Sequence, residues 1–120
     1  MIYPVVLNPC LDRSIFIEKI ALNQVIRASK VRLDWGGKGN NVARALHVLG
    51  IPCEVHGFAG GITGEIMEGE LRASGIRTNF VRIKEETRTN YVFNEVDGEQ
   101  YLKVNETGPT ISAKEQNLFL

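Results

Sequence analysis

The sequence predicts an α/β fold in which βαβ units carry an inserted, smaller β-sheet. Three observations predict it. A short branched run, Ile2 to Leu7, opens the chain; two helical patterns then alternate with strands; and four short stretches alternate polar with apolar residues. At 120 residues and 43% hydrophobic content, the chain is sized for one domain with a modest core.

Taken in order, Ile2 to Leu7 reads as a strand buried on both faces and stopped by Asn8-Pro9. Ser14 to Ile17 and Lys30 to Leu33 read as half-exposed strands of the second sheet. The spacing of Val42, Ala45, Leu46 and Leu49 predicts a helix over 40–49, ended by Gly50 and Pro52. Cys53 to Phe58 is the next strand. The glycine-rich stretch 60–64, a tight turn capped by Thr63 or else a second anion site, leads into a helix through about Ser74, with Ile66, Met67, Leu71 and Ala73 inward and Gly75 as its left-handed stop. Asn79 to Ile83 is a short strand, and Asp97-Gly98 joins Tyr91–Val96 to Glu99–Val104 as a hairpin. Residues 113–120 read as the start of a helix, which suggests a chain cut short.

Charge excludes some functions. The 14 basic and 14 acidic side chains cancel and form no run of one sign, so nucleic acid and anionic membrane are not expected partners. The apolar start is far too short for a signal or spanning segment. Cys10 and Cys53 lack a Cys-x-x-Cys neighbour, and neither His47 nor His56 stands at metal-ligand spacing from them. A reduced, cytoplasmic protein with no bound metal is expected, its cysteines being small buried side chains.

The candidate chemistry lies at turns. Trp35-Gly36-Gly37-Lys38-Gly39-Asn40-Asn41 opens the first helix, where glycine lets backbone approach a ligand, the helix start attracts an anion, and Lys38 adds a movable charge. A plain helix-entry turn explains the same residues. The spacing fits neither a P-loop nor a dinucleotide fingerprint, so a nicotinamide enzyme is disfavoured. Asp12, placed just past the first strand, suits two vicinal hydroxyls, or else belongs to an Asx turn after Pro9. Arg27 and Arg88 each precede or open a strand and suit bidentate phosphate binding; solvated surface arginines are the alternative.

Three blocks in this order resemble the PfkB family of ribokinase-like carbohydrate kinases, in its branch of 1-phosphofructokinases and tagatose-6-phosphate kinases. They are Leu7-Asn8-Pro9-x-Leu11-Asp12-Arg13, Gly36-Gly37-Lys38-Gly39-x-Asn41-Val42-Ala43-Arg44-Ala45-Leu46, and Gly60-Gly61-x-Thr63-Gly64. Thr87-Arg88-x-Asn90 and Asn105-Glu106-x-Gly108-Pro109 agree with it.

The resemblance implies a ribokinase-like three-layer α/β/α core, here incomplete, with a small β-sheet lid made by strands near 14–17, 30–33, 91–96 and 99–104. Residues 1–120 would be the N-terminal portion of one such domain, without its nucleotide-binding portion. By the same resemblance Asp12 binds sugar hydroxyls, Gly36, Gly37 and Asn41 line the sugar, and Lys38, Arg27 and Arg88 are candidates for its phosphate, with Asn90 nearby. The lid often mediates dimer contacts, which implies a homodimer.

The family reaction uses ATP and magnesium through a Gly-x-Gly-Asp block and an Asn-x-x-Glu element, neither of which occurs in these residues. A longer parent would therefore phosphorylate a hexose phosphate to a bisphosphate, and the 120-residue chain alone would be inactive and bind no cofactor. The alternative is a non-catalytic module that binds sugar phosphates or dimerises.

Overall fold

The computed structural model describes residues 1–120 and divides the strands between two sheets. The first is parallel: β1 (Val5–Val6), β4 (Glu54–Gly60) and β5 (Arg77–Ile83), in the order β1-β4-β5. The second is mixed. It contains β2 (Cys10–Ile17), β3 (Lys30–Gly36), β6 (Arg88–Glu95) and β7 (Tyr101–Asn105), in the order β3-β2-β6-β7, with β2 and β6 parallel and both outer pairs antiparallel.

Side chains of β4 alternate between two environments, as strand geometry requires. Val55 and Ala59 face the helices α1 (Lys38–Val48) and α2 (Gly61–Ala73), in one core with Val6, Trp35, Ala43, Met67 and Leu71. On the opposite face Phe58 meets Phe119 of α3 (Ala113–Phe119), with ring centroids 5.3 Å apart. Helix, sheet, helix are thus three layers, and the four-stranded sheet projects from them as the lid. No helix is long and apolar enough to cross a membrane.

Several expectations are corrected. The first strand is not buried on both faces: Val6 is covered by α1, whereas Tyr3, Val5 and Leu7 are exposed because seven-residue α3 reaches little beyond Phe58. The predicted inner face of α1 is rotated. Gly39, Asn40 and Ala43 are buried, with Leu46 half-buried, while Val42 is 50% and Leu49 71% exposed. Glycine at 39 permits this, since a Cβ there would run into the Val5 carbonyl, so the helix start sits directly on β1. On α2, Met67 and Leu71 point inward as expected, but Ile66 and Ala73 do not, and Gly64 and Glu68 are buried instead.

Both long helices end in the same way. Gly50 (φ 74°) and Gly75 (φ 86°) take the left-handed position, and the following Ile51 and Ile76 donate back to Leu46 and Leu71 carbonyls at 2.9 and 3.1 Å. The hairpin register centres on Asp97-Gly98 as predicted, with Asn94 opposite Tyr101, but ladder pairing stops there. Neither turn residue has positive φ, so this is no primed two-residue turn. Glu95 closes the loop instead, accepting N–H groups of Gln100 (3.1 Å) and Ile20 (2.8 Å).

Candidate functional site

The chain crosses between the two sheets at Asn8-Pro9, at Gly36-Gly37 and at residues 84–87, and these crossings meet. Arg88, the first residue of β6, donates from Nη2 to the carbonyl of Asn8 at 3.1 Å. Asn8 in turn donates from its side chain to the Thr107 carbonyl at 3.1 Å, drawing in the segment after β7. A polar seam results, walled by the core on one side and the lid on the other.

A cavity of about 250 Å³ lies in this seam, lined by Asn8, Gly37, Lys38, Gly39 and Arg88 against Val5 to Leu7. Gly37 takes φ 104° to turn β3 into α1, and a Cβ would also press on Val6 and Pro9. The helix start therefore opens onto the cavity without a side-chain cap. Its free N–H groups, the helix dipole and the two cations Lys38 and Arg88 favour an anion there. Arg88 Nε is buried with no hydrogen-bond partner, a donor left unspent beside the cavity.

A polar row crosses the lid beside that cavity. Asp34, Asp12, Asn90 and Asn105 stand opposite one another on β3, β2, β6 and β7. Asn90 Oδ1 is also buried without a partner. Asp12 is the third residue of β2 rather than part of a turn after Pro9, which corrects both its expected place at the end of the first strand and the Asx alternative. Gly36 leaves room for it: a Cβ there would collide with Asp12 Oδ2 and sit 2.9 Å from Cys10 Sγ. The Cys10 thiol donates to Asp12 Oδ1 at 3.4 Å. Burial pushes that thiol up to about 12, with the neighbouring Asp12 carboxylate adding to the effect, so it stays a neutral donor.

A second cleft of about 390 Å³ lies on the other side of Arg88, among Glu85, Glu86, Glu106 and Thr107. Its carboxylates accept backbone N–H groups: Thr110 to Glu85 at 3.0 Å, Thr63 to Glu86 at 2.7 Å, Thr89 to Glu106 at 2.6 Å. Three carboxylates disfavour an anion there, whereas the charges on the Lys38 side favour one. The turn Gly60–Gly64 is likewise taken. Thr63 is not its cap; the Glu86 carboxylate occupies the start of α2, and Thr63 N–H holds that carboxyl below its ordinary 4.5.

Of the residues singled out in the sequence, Asp12, Gly36, Gly37, Lys38, Arg88 and Asn90 gather along the seam. Asn41 is exposed in the first turn of α1, its N–H closing that turn on the Gly37 carbonyl at 3.0 Å. Arg27 stands apart, exposed in the segment 18–29 between β2 and β3. Asn8, Cys10, Glu86 and Thr87 went unassigned as site residues. Asn8, Glu86 and Thr87 act through backbone atoms and contacts far apart in sequence, for which Asn8-Pro9 and Thr87-Arg88 were the available signals, whereas Cys10 acts through its thiol on Asp12 two residues on.

The chain is similar to known carbohydrate kinases. The model of the pfkB family carbohydrate kinases matches residues 5–120. The chain is 36% identical over 120 residues to a 1-phosphofructokinase of Bacillus subtilis, covering all of this chain and 39% of that protein. It is 37% identical over 119 residues to a tagatose-6-phosphate kinase of Staphylococcus epidermidis, covering 99% of this chain and 38% of that one. The crystal structure of phosphofructokinase-2 from Escherichia coli in complex with fructose-6-phosphate superposes with a TM-score of 0.90 at 27% identity, over 98% of this chain and 39% of that chain. The chain thus spans about two-fifths of the length of these relatives.

Proposed function

The chain belongs to the pfkB family of carbohydrate kinases, and on that premise we propose that it forms the sugar-phosphate site and lid of an ATP-dependent hexose-phosphate kinase. The observation that carries the reading is the seam cavity, with Lys38 and Arg88 on one side and the Asp12–Asn90 row beside it. A phosphate fits the two cations and the open helix start; vicinal hydroxyls fit a carboxylate and a carboxamide side by side. Fructose 1-phosphate and tagatose 6-phosphate match this order of groups, by analogy with the named relatives.

In the reaction these residues bind and orient. Asp12, fixed by the Cys10 thiol and by the space at Gly36, accepts hydroxyl protons as hydrogen bonds and sets the sugar's face. Arg88 and Lys38 hold the phosphate already present. The lid sheet covers the sugar and excludes water, which strengthens both sets of contacts. No group of three or more His, Cys, Asp or Glu side chains of this chain forms a metal site. ATP and magnesium belong to the remainder of the longer parent, and the isolated chain binds substrate without turnover.

The opposite face of the lid supports a partner. Val31, Leu33, Leu102 and Val104 are exposed on it, and a second copy of the chain is the partner we assign. Its buried, unpaired cysteines suit a reducing cytoplasm.

Calorimetric titration of the chain with fructose 1-phosphate, fructose 6-phosphate and tagatose 6-phosphate tests the site, beside a coupled ADP-release assay on the longer parent. Binding of one sugar phosphate, weakened in Asp12→Asn, is the expected outcome. Undiminished affinity in Asp12→Asn removes that residue from the site.

A further inference from the structure

Thr87 is only 2% exposed, and the function proposed above gives it no task. It precedes β6 and is fastened twice to Gly60, the last residue of β4. Its N–H donates to the Gly60 carbonyl at 3.0 Å, and its Oγ1 accepts the Gly60 N–H at 2.9 Å. The surrounding glycines are shaped to it. A Cβ on Gly64 would lie 3.0 Å from Thr87 Oγ1, and one on Gly60 would strike the Glu85 carbonyl. With Glu86 on Thr63 N–H, the second glycine turn is a socket filled by the chain's own residues 85–87.

Arg88 follows at once, and the β2–β6 ladder begins with it, opposite Cys10. A one-residue slip there would send the Arg88 side chain to the other face of the lid. Its Nε is buried and unspent, and Nη2 is committed to Asn8, so the guanidinium has one useful pose. We propose that Thr87 is a positioning residue: its paired hydrogen bonds to Gly60 fix the start of β6 and so aim Arg88 into the anion cavity. The geometric part stands on the contacts alone; the effect on affinity rests on the reading of Arg88 as a phosphate ligand.

The test compares Thr87→Val, which keeps the shape and deletes the acceptor, with Thr87→Ser, which keeps the acceptor. Solvent exchange of the Arg88 Nε–H is followed by NMR in the free chain. We expect Thr87→Val to exchange about tenfold faster, as loss of one buried hydrogen bond implies, and Thr87→Ser to match the unaltered chain. Should Thr87→Val not fold, Thr87→Ala serves the same comparison. Equal exchange in all variants overturns the proposal.

Fructose 1-phosphate affinity gives the second reading. Thr87→Val should weaken it about tenfold, with no further loss when added to Arg88→Ala. An equal further loss in that background means Thr87 acts through something other than Arg88 and overturns the proposal. If the unaltered chain binds no sugar phosphate while exchange behaves as expected, the sugar-phosphate reading fails and the positioning role stands.

Discussion

Gly36 shows most plainly how one residue makes room for function. The space a side chain would fill is occupied by the Asp12 carboxylate and the Cys10 thiol. Gly36→Ala should cost about 1–3 kcal/mol of stability through overpacking, and should weaken sugar-phosphate binding by displacing Asp12. Chemical denaturation and titration of the same variant check both; full stability with full affinity would show that the site tolerates a Cβ. The glycines were legible from sequence because their type announces close approach of the backbone, whereas Asp12 was expected just past the first strand and lies inside β2. Cys10 was read as a small buried side chain, which it is, but its bond to Asp12 depends on two strand residues facing the same side. The unpartnered atoms of Arg88 and Asn90 were not legible at all, since burial of a single atom is a property of the folded seam.

Among the elements, α2 owes its entry to a residue 23 positions further on. Glu86 accepts the Thr63 N–H, and that bond holds its carboxyl below 4.5. A group whose folded pKa is depressed adds stability above its unfolded pKa and loses it as pH falls through the folded value. The Thr63 amide shift should therefore titrate at acid pH, with a midpoint below 4.5, and be flat in Glu86→Gln. A titration that persists in Glu86→Gln would assign the capping to another group. Helix existence, helix ends and the order of elements along the chain were readable, since Gly50 and Gly75 stop helices by local geometry alone. Helix facing was not. Val42 and Leu49 fit an inward stripe by spacing, yet the contact of Gly39 with β1 turned the helix to bury Asn40 and Ala43. The cap of α2 was missed for a related reason: Thr63 is a good local candidate, and a distant carboxylate outcompetes it.

At the scale of the whole molecule, the chain is more open than its length requires. Its Cα radius of gyration is 16.2 Å, against about 13.6 Å for a compact chain of 120 residues. Its surface of 7907 Å² compares with about 6,500 Å² for a monomeric protein of this mass. The projecting lid accounts for the shape and leaves an apolar face uncovered. If a second copy covers that face, Leu33→Asp or Leu102→Asp should turn a dimer into a monomer in sedimentation equilibrium, with the secondary structure retained. An unchanged mass would move the contact elsewhere.

The two-sheet seam is the feature on which the proposed activity depends, and Arg88 is where its halves meet. Calorimetry on the chain and on Arg88→Ala, with fructose 1-phosphate, fructose 6-phosphate and tagatose 6-phosphate, reads that directly. Loss of a charge-assisted contact of about 1.5–3 kcal/mol should weaken binding of the preferred sugar phosphate tenfold or more. Equal affinity of the two chains for every one of the three would contradict a phosphate site at the seam.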